Sequence, residues 1–256
     1  MLTHPTLDKR RTRRLTGMVQ AFLEQQQLPE IHTLSFEERL GLLVDRELTR
    51  RDQRRLSNRL RQARLRQPAT LEDIDYTTPR GLDKALMARL STGQWIAEHL
   101  NCLITGPTGI GKSWLACALA QAACRQGYSA RYLRLPRLCQ ELALAKGDGR
   151  YVKVLADIAK IDVLVVDDWG LAPLTAEQCR DLLEILDDRH GRRSTLVTSQ
   201  LPVAHWHDYL GQPTLADAIL DRLVHNAYKL TLSGDSLRKR QAGLTTAPPT
   251  ESFSHQ

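Results

Sequence analysis

Residues 106–113 read GPTGIGKS and match the pattern G-x-x-x-x-G-K-[ST] at every fixed position. Gly106, Gly109 and Gly111 let the backbone curl until its N–H groups point inward at phosphate oxygens, with Pro107, Thr108 and Ile110 completing the loop. A helix opening at Lys112 adds the positive end of its dipole to the same anion. In such a loop Lys112 reaches the β and γ phosphates of ATP, the Ser113 hydroxyl ligates Mg²⁺, and Trp114 completes the set of nucleotide-binding candidates. The alternative is a chance glycine-rich turn. The context argues against it, because the apolar NCLIT precedes the loop and the helical WLACALAQAACR follows.

Binding nucleotide is not hydrolysing it. The second element is IDVLVVDD, an apolar run ending in Asp167 and Asp168, 55 residues after Lys112. This has the form of a Walker B strand: Asp167 holds Mg²⁺ through its water shell, and Asp168 orients or deprotonates the attacking water. Many ATPases carry Glu at the second place. Asp is one methylene shorter, so slow intrinsic hydrolysis is expected. Phosphoryl transfer also needs a polar group near the γ-phosphate and a cation for transition-state charge. STLVTSQ ends in Thr198, Ser199 and Gln200; Gln200 is favoured as the sensor and Ser199 comes second, with an ordinary loop amide as the rival reading. Arg222 in LADAILDRLVH and Arg238 in GDSLRKR are the candidate cations, each weighed against an ordinary surface arginine.

These residues require a scaffold. From residue 101 onward, short apolar runs alternate with longer amphipathic ones, the pattern of βαβ units around a parallel sheet. Strands are expected at 102–105, 130–135, 161–167, 194–199 and 229–232, with helices at 112–125, 138–145, 151–160, 176–190 and 215–224. IDVLVVDD lacks alternation and reads as a central strand covered on both faces. Earlier, helical periods run over 17–27 and 36–65, and Pro68 closes the second. The expected domains are therefore a small all-α region over 1–70, an ATPase region over 71–240, and a polar tail over 241–256.

The chain of 256 residues carries a net charge of +7, and all of that excess lies in residues 1–70, where 15 basic side chains face 8 acidic ones. Arg10, Arg11, Arg13 and Arg14 form a basic arm. Arg50, Arg51, Arg54, Arg55 and Arg59 fall on the second helical stretch, with Arg51, Arg55 and Arg59 on one face. Phosphate contact with duplex DNA is the expectation, set against a solvated face or one docking an acidic partner. The region has two Phe and no Trp or Tyr, so stacking on single strands is poorly supported. Five cysteines without a C-x-x-C pair argue against a zinc ribbon and for small buried side chains in a reducing compartment. No stretch approaches the roughly 18 apolar residues of a membrane span, and the N-terminus lacks an apolar signal segment. A cytoplasmic location without membrane contact is expected. Trp169 reads as a packing aromatic.

GPTGIGKS, LVVDDWG, STLVTSQLP and DAILDRLVH, preceded by LRQARLRQPATLEDIDY, together resemble an IstB-like ATPase, the transposition helper of insertion sequences. That family lies within the AAA+ ATPases and is similar to replicative helicase loaders. The resemblance implies an α/β three-layer AAA+ fold with a central five-stranded parallel sheet behind a small all-α domain. It also implies an ATP-dependent homo-oligomer with nucleotide at subunit interfaces, acting on duplex DNA with its cognate transposase. Carried onto this chain, it assigns Lys112 and Ser113 to ATP and Mg²⁺, Asp167 and Asp168 to Mg²⁺ and water, and Gln200 to sensing; Arg222 would reach a neighbour's nucleotide. Only about two dozen residues follow position 232, so the C-terminal lid is reduced or absent and a sensor role for Arg238 is doubtful. The alternatives are a helicase loader gripping a ring helicase through its N-terminal helices, and a small-molecule P-loop kinase, for which no acceptor pocket pattern is seen.

Overall fold

The computed structural model describes residues 15–237. Arg10, Arg11, Arg13 and Arg14, Arg238 and the 241–256 tail lie outside the described residues. The chain divides into two compact units, residues 1–59 and 60–256.

The first unit is helical. Helix α1 (Thr16–Gln25) leads through a 3-10 turn (Pro29–Thr33) to the 28-residue α2 (Phe36–Ala63). A capping box opens α2: the Glu38 N–H donates to Ser35 Oγ (3.2 Å) and the Ser35 N–H to the Glu38 carboxylate (2.7 Å). The two helices meet at Gly17, where an added Cβ would lie 2.9 Å from the Glu47 Cα. This approach lets the buried Glu47 carboxylate accept the N–H groups of Gly17 (2.7 Å) and Met18 (3.2 Å) and the Nε–H of Arg51 (2.8 Å). Burial opposes the charge on Glu47, but Arg51 and the two amides outweigh it and hold its pKa below the ordinary value. Gly17→Val is therefore expected to destabilise this unit by about 1–3 kcal/mol, seen as faster amide hydrogen exchange in α1. Because α2 runs on to Ala63, the division between units falls inside a helix, and residues 60–70 belong to the second unit.

The second unit is a five-stranded parallel sheet in the order β2-β3-β4-β1-β5. Helices α3 (Lys84–Ser91) and α4 (Gln94–Ala97) precede β1 (Asn101–Thr105), and α5 (Lys112–Arg125) follows it. Then come β2 (Ala130–Arg134), α6 (Leu135–Gly147), α7 (Tyr151–Ala159), β3 (Val163–Trp169), α8 (Ala176–Arg189) and β4 (Ser194–Ser199). Short α9 (Trp206–Leu210), α10 (Pro213–Val224) and β5 (Ala227–Thr231) end the set. Leu103, Leu164, Val166 and Val197 turn one face of the sheet toward Leu138, Leu155, Ile185 and Ile219 of α6, α7, α8 and α10. Helix α5 covers the other face; its Leu115, Ala116, Cys117, Ala118 and Leu119 are all buried. The result is the expected three layers.

Two boundaries differ from the sequence reading for physical reasons. Helix α6 begins at Leu135 because Pro136 occupies its first turn, where a missing N–H costs nothing; β2 stops at Arg134. β3 runs on to Trp169, which is buried with its ring centroid 5.0 Å from that of Trp206. Helices α3, α4 and the short α9 were not foreseen. All five cysteines are buried and unbridged.

One buried cation secures the amino edge of the sheet. Arg189, at the end of α8, is 1% exposed. Its Nη1 donates to the carbonyls of Ile158 (2.9 Å) and Ile161 (2.7 Å), its Nη2 to those of Asp162 (3.5 Å) and Ser194 (2.5 Å), and its Nε to Thr195 Oγ1 (3.2 Å). Burial pushes its pKa down to about 9, still charged at neutral pH. The end of α7, the loop that runs from it into β3, and the start of β4 are thereby joined.

Candidate nucleotide-binding site

The phosphate loop leaves the carboxyl end of β1 with Gly106, Gly109 and Gly111 at φ values of +148°, +83° and +99°. At Gly106 and Gly109 a side chain would also collide with neighbours, the Leu232 carbonyl 2.4 Å and Ser236 Oγ 2.1 Å from the added Cβ. Gly111 precedes α5 without a side-chain cap, so the first N–H groups of that helix stay directed at the loop's concavity. Lys112 folds back over the loop, and its Nζ donates to the carbonyls of Gly106 (2.6 Å) and Pro107 (2.8 Å).

Asp167 lies against this loop. Its carboxylate is 1% exposed and accepts from Ser113 Oγ at 2.9 Å, from Thr198 Oγ1 and from the Tyr132 hydroxyl, while Arg66 Nη1 stands 3.5 Å away. Burial and the adjacent Asp167 charge raise the Tyr132 pKa, so Tyr132 remains a phenol and a donor. Asp168 takes φ +62°, and the β3–β4 register slips by one residue between Val166 and Trp169. Such a bulge re-aims side chains. Here it turns Asp168 to Arg134, whose Nε donates to Oδ2 at 2.5 Å.

Lys112, Ser113 and Asp167 are thus brought together, with Asp168 next along the strand. From β4 it is Thr198 that touches Asp167; Ser199 instead donates to the Trp169 carbonyl at 2.8 Å, and Gln200 is exposed beyond the strand end. Arg222 is elsewhere. Its carbonyl accepts from Asn101 at the start of β1, and its guanidinium donates to Asp187 and to the Ala218 carbonyl (2.9 Å). Four residue steps of β1, at about 3.3 Å each, separate that edge from the loop by roughly 13 Å, so Arg222 cannot reach the loop of its own chain.

Beside the loop opens a cleft of about 600 Å³ that sequence reasoning missed. Gln67, Pro68, Asp75 and Thr78 line it from the segment before β1, and Leu237 from the segment after β5. The Leu237 N–H donates to the Gly109 carbonyl (3.0 Å) and the Ser233 N–H to the Arg80 carbonyl (3.0 Å). Buried Arg80 braces the loop through Ile110 O (3.3 Å) and Asp75 O (2.9 Å). Its pKa is lowered by burial, with Asp75 opposing. Chain on both sides of the sheet segment therefore walls a space next to the phosphate loop, large enough for a nucleoside.

On α2, Arg50, Arg51, Arg54 and Arg55 are exposed and Arg59 is half-buried. Arg51 bonds Glu47, and Arg55 bonds Asp52 at 3.3 Å. No helix among the described residues is long and apolar enough to cross a membrane.

An insertion-sequence ATP-binding protein of Sinorhizobium fredii, y4pL, is 56% identical over 241 residues, which is 94% of this chain and 98% of that protein. The ATP-binding protein of insertion sequence IS1162 from Pseudomonas fluorescens is 54% identical over 203 residues, 79% of this chain and 88% of its own. Among solved structures, DnaI has the same fold (TM-score 0.56, 22% identity, 69% of this chain and 93% of that one), as does AMPPCP-bound DnaA from Aquifex aeolicus (TM-score 0.55, 16% identity, 73% and 59%). Loop, paired aspartates and these matches converge: the chain is a P-loop ATPase with the fold of DnaI and DnaA, and with residues 9–245 matched by the IstB-like ATP binding protein family, it belongs to that family.

Proposed function

We propose that this ATPase assembles on duplex DNA in its ATP-bound state and helps the transposase of its insertion sequence engage target DNA. One observation carries the reading: an insertion-sequence ATP-binding protein matches the ATPase unit and the arginine-bearing helix together, across 94% of the chain. In this proposal Lys112 and the loop amides bind the phosphates. Ser113 and Asp167 offer hard oxygens 2.9 Å apart beside the loop, a donor set suited to Mg²⁺, which would neutralise phosphate charge. Asp168 takes the proton of the attacking water, and Gln200 senses the γ-phosphate. Arg222 serves a neighbouring subunit, since it is a sheet's breadth from its own loop. The basic arm with Arg10, Arg11, Arg13 and Arg14, and Arg50, Arg51, Arg54, Arg55 and Arg59 of α2, contact DNA phosphates, so that binding weakens with salt. DNA binding is assigned to the basic helical part within residues 1–70, whose last residues already line the nucleotide cleft, and ATP hydrolysis to the part that runs on to residue 240, in a cytoplasmic protein.

The test uses the full chain. Duplex DNA should be retained with ATP more tightly than with ADP, and should raise phosphate release. Arg222→Ala and Lys112→Ala should each be inactive alone, and mixing them should restore hydrolysis, because one supplies intact loops and the other intact arginines. No recovery on mixing would place Arg222 outside the reaction. Failure to retain DNA, with capture of a ring helicase instead, would favour a loader.

A further inference from the structure

We propose that Arg66 is a positioning residue that shares the Asp167 carboxylate with the magnesium ion, so that the metal and the connector after α2 compete for one buried charge. The inference rests on reading Ser113 and Asp167 as the metal-holding pair.

The carboxylate is fully engaged from two sides. Oδ1 accepts from Ser113 and Thr198; Oδ2 accepts from Tyr132 and faces Arg66 Nη1 at 3.5 Å. Hydroxyls satisfy lone pairs but do not neutralise a buried anion, whose desolvation is costly without a cation nearby. Arg66 supplies that cation. It is also hydrogen-bonded to Tyr132, and that contact, with Asp167 behind it, raises the Arg66 pKa. The two partners differ in freedom. Asp167 is locked in β3 at 1% exposure, whereas the Arg66 side chain is 43% exposed and can return to water.

Arg66 also stands at a joint. α2 ends at Ala63, Arg64 turns the chain at φ +50°, and Gln67 and Pro68 then line the nucleotide cleft. A divalent ion at Ser113 and Asp167 brings a second positive charge beside the guanidinium, and like charges at a shared carboxylate repel. The half-exposed partner yields. Metal occupancy thus loosens residues 64–68 from β3, and metal loss ties them back.

The experiment titrates Mg²⁺ from an EDTA-treated start and follows binding of a fluorescent ATP analogue to the full chain. Arg66→Gln is expected to lower the Mg²⁺ midpoint about 3- to 10-fold, because the competing charge is gone. It should also weaken analogue binding without metal. Arg66→Lys keeps the charge and should return the midpoint toward the wild-type value. Tyr132→Phe, which leaves both charges in place, should shift it in the same direction as Arg66→Gln but less. Circular dichroism melting confirms that each variant is folded. A midpoint in Arg66→Gln equal to or above the wild-type value overturns the proposal. Analogue binding by the wild-type chain that ignores Mg²⁺ altogether would instead remove the underlying reading of Ser113 and Asp167.

Discussion

Lys112→Ala is expected to reduce kcat/KM for ATP by about 10²–10³, the scale of losing one preorganised charge donor at the reacting group. Lys112 as a residue is 8% exposed, and its ammonium is already bonded to the carbonyls of Gly106 and Pro107. Exchanging those carbonyls for phosphate oxygens moves one cation a short way, from a site where it is already partly desolvated. The variant lacks the cation and leaves both carbonyls short of a donor, so nucleotide affinity and turnover fall together. Steady-state phosphate release and direct binding of an ATP analogue read the two effects separately. Retained turnover would mean that the loop acts without its lysine.

Asp168→Asn should behave differently. Asn tolerates φ +62° as Asp does, so the β3 bulge should persist. The side chain, however, can no longer take a proton. Turnover is expected to fall about 10²- to 10⁴-fold, with little change in KM for ATP. That split distinguishes a lost base from a lost binding group. A decrease in turnover smaller than about tenfold would assign the proton to another acceptor.

What the sequence made legible follows from how locally each feature is encoded. The loop is eight contiguous residues with glycine wherever the backbone demands it, so Gly106 through Ser113 could be read directly. The unbroken apolar run into Asp167 likewise identified an interior strand of the sheet, flanked on both sides. Strand order is not local. β2 and β4 flank β3 in space, and only that arrangement brings Tyr132 and Thr198 to Asp167 and Arg134 to Asp168. Periodicity identifies strands without ranking neighbours, so these partners, and Arg66, went unseen. The same limit applies to β4. Three polar residues end it, and only the register shows that Thr198 is the one alongside Asp167, a contact separate from the sensor role expected of Gln200. On α2 the period identified a helix but not its covered face: Leu43 and Glu47 are buried, while Phe36, Leu40, Val44 and Leu48 are exposed.

A parallel sheet gives each copy a front and a back. The phosphate loop sits at the front, where β1 ends, and Arg222 at the back, where β1 begins. If Arg222 completes a neighbour's site, the front of one copy must meet the back of another, which a two-fold dimer achieves only if one self-complementary patch spans both ends of the strands. Where the contact is instead heterologous, it repeats until it closes or runs out. In a closed circle every nucleotide has its arginine. In an open spiral one terminal subunit holds nucleotide without one, so hydrolysis per subunit should climb with the length of the assembly. Turnover then becomes a measure of how many copies stand in line.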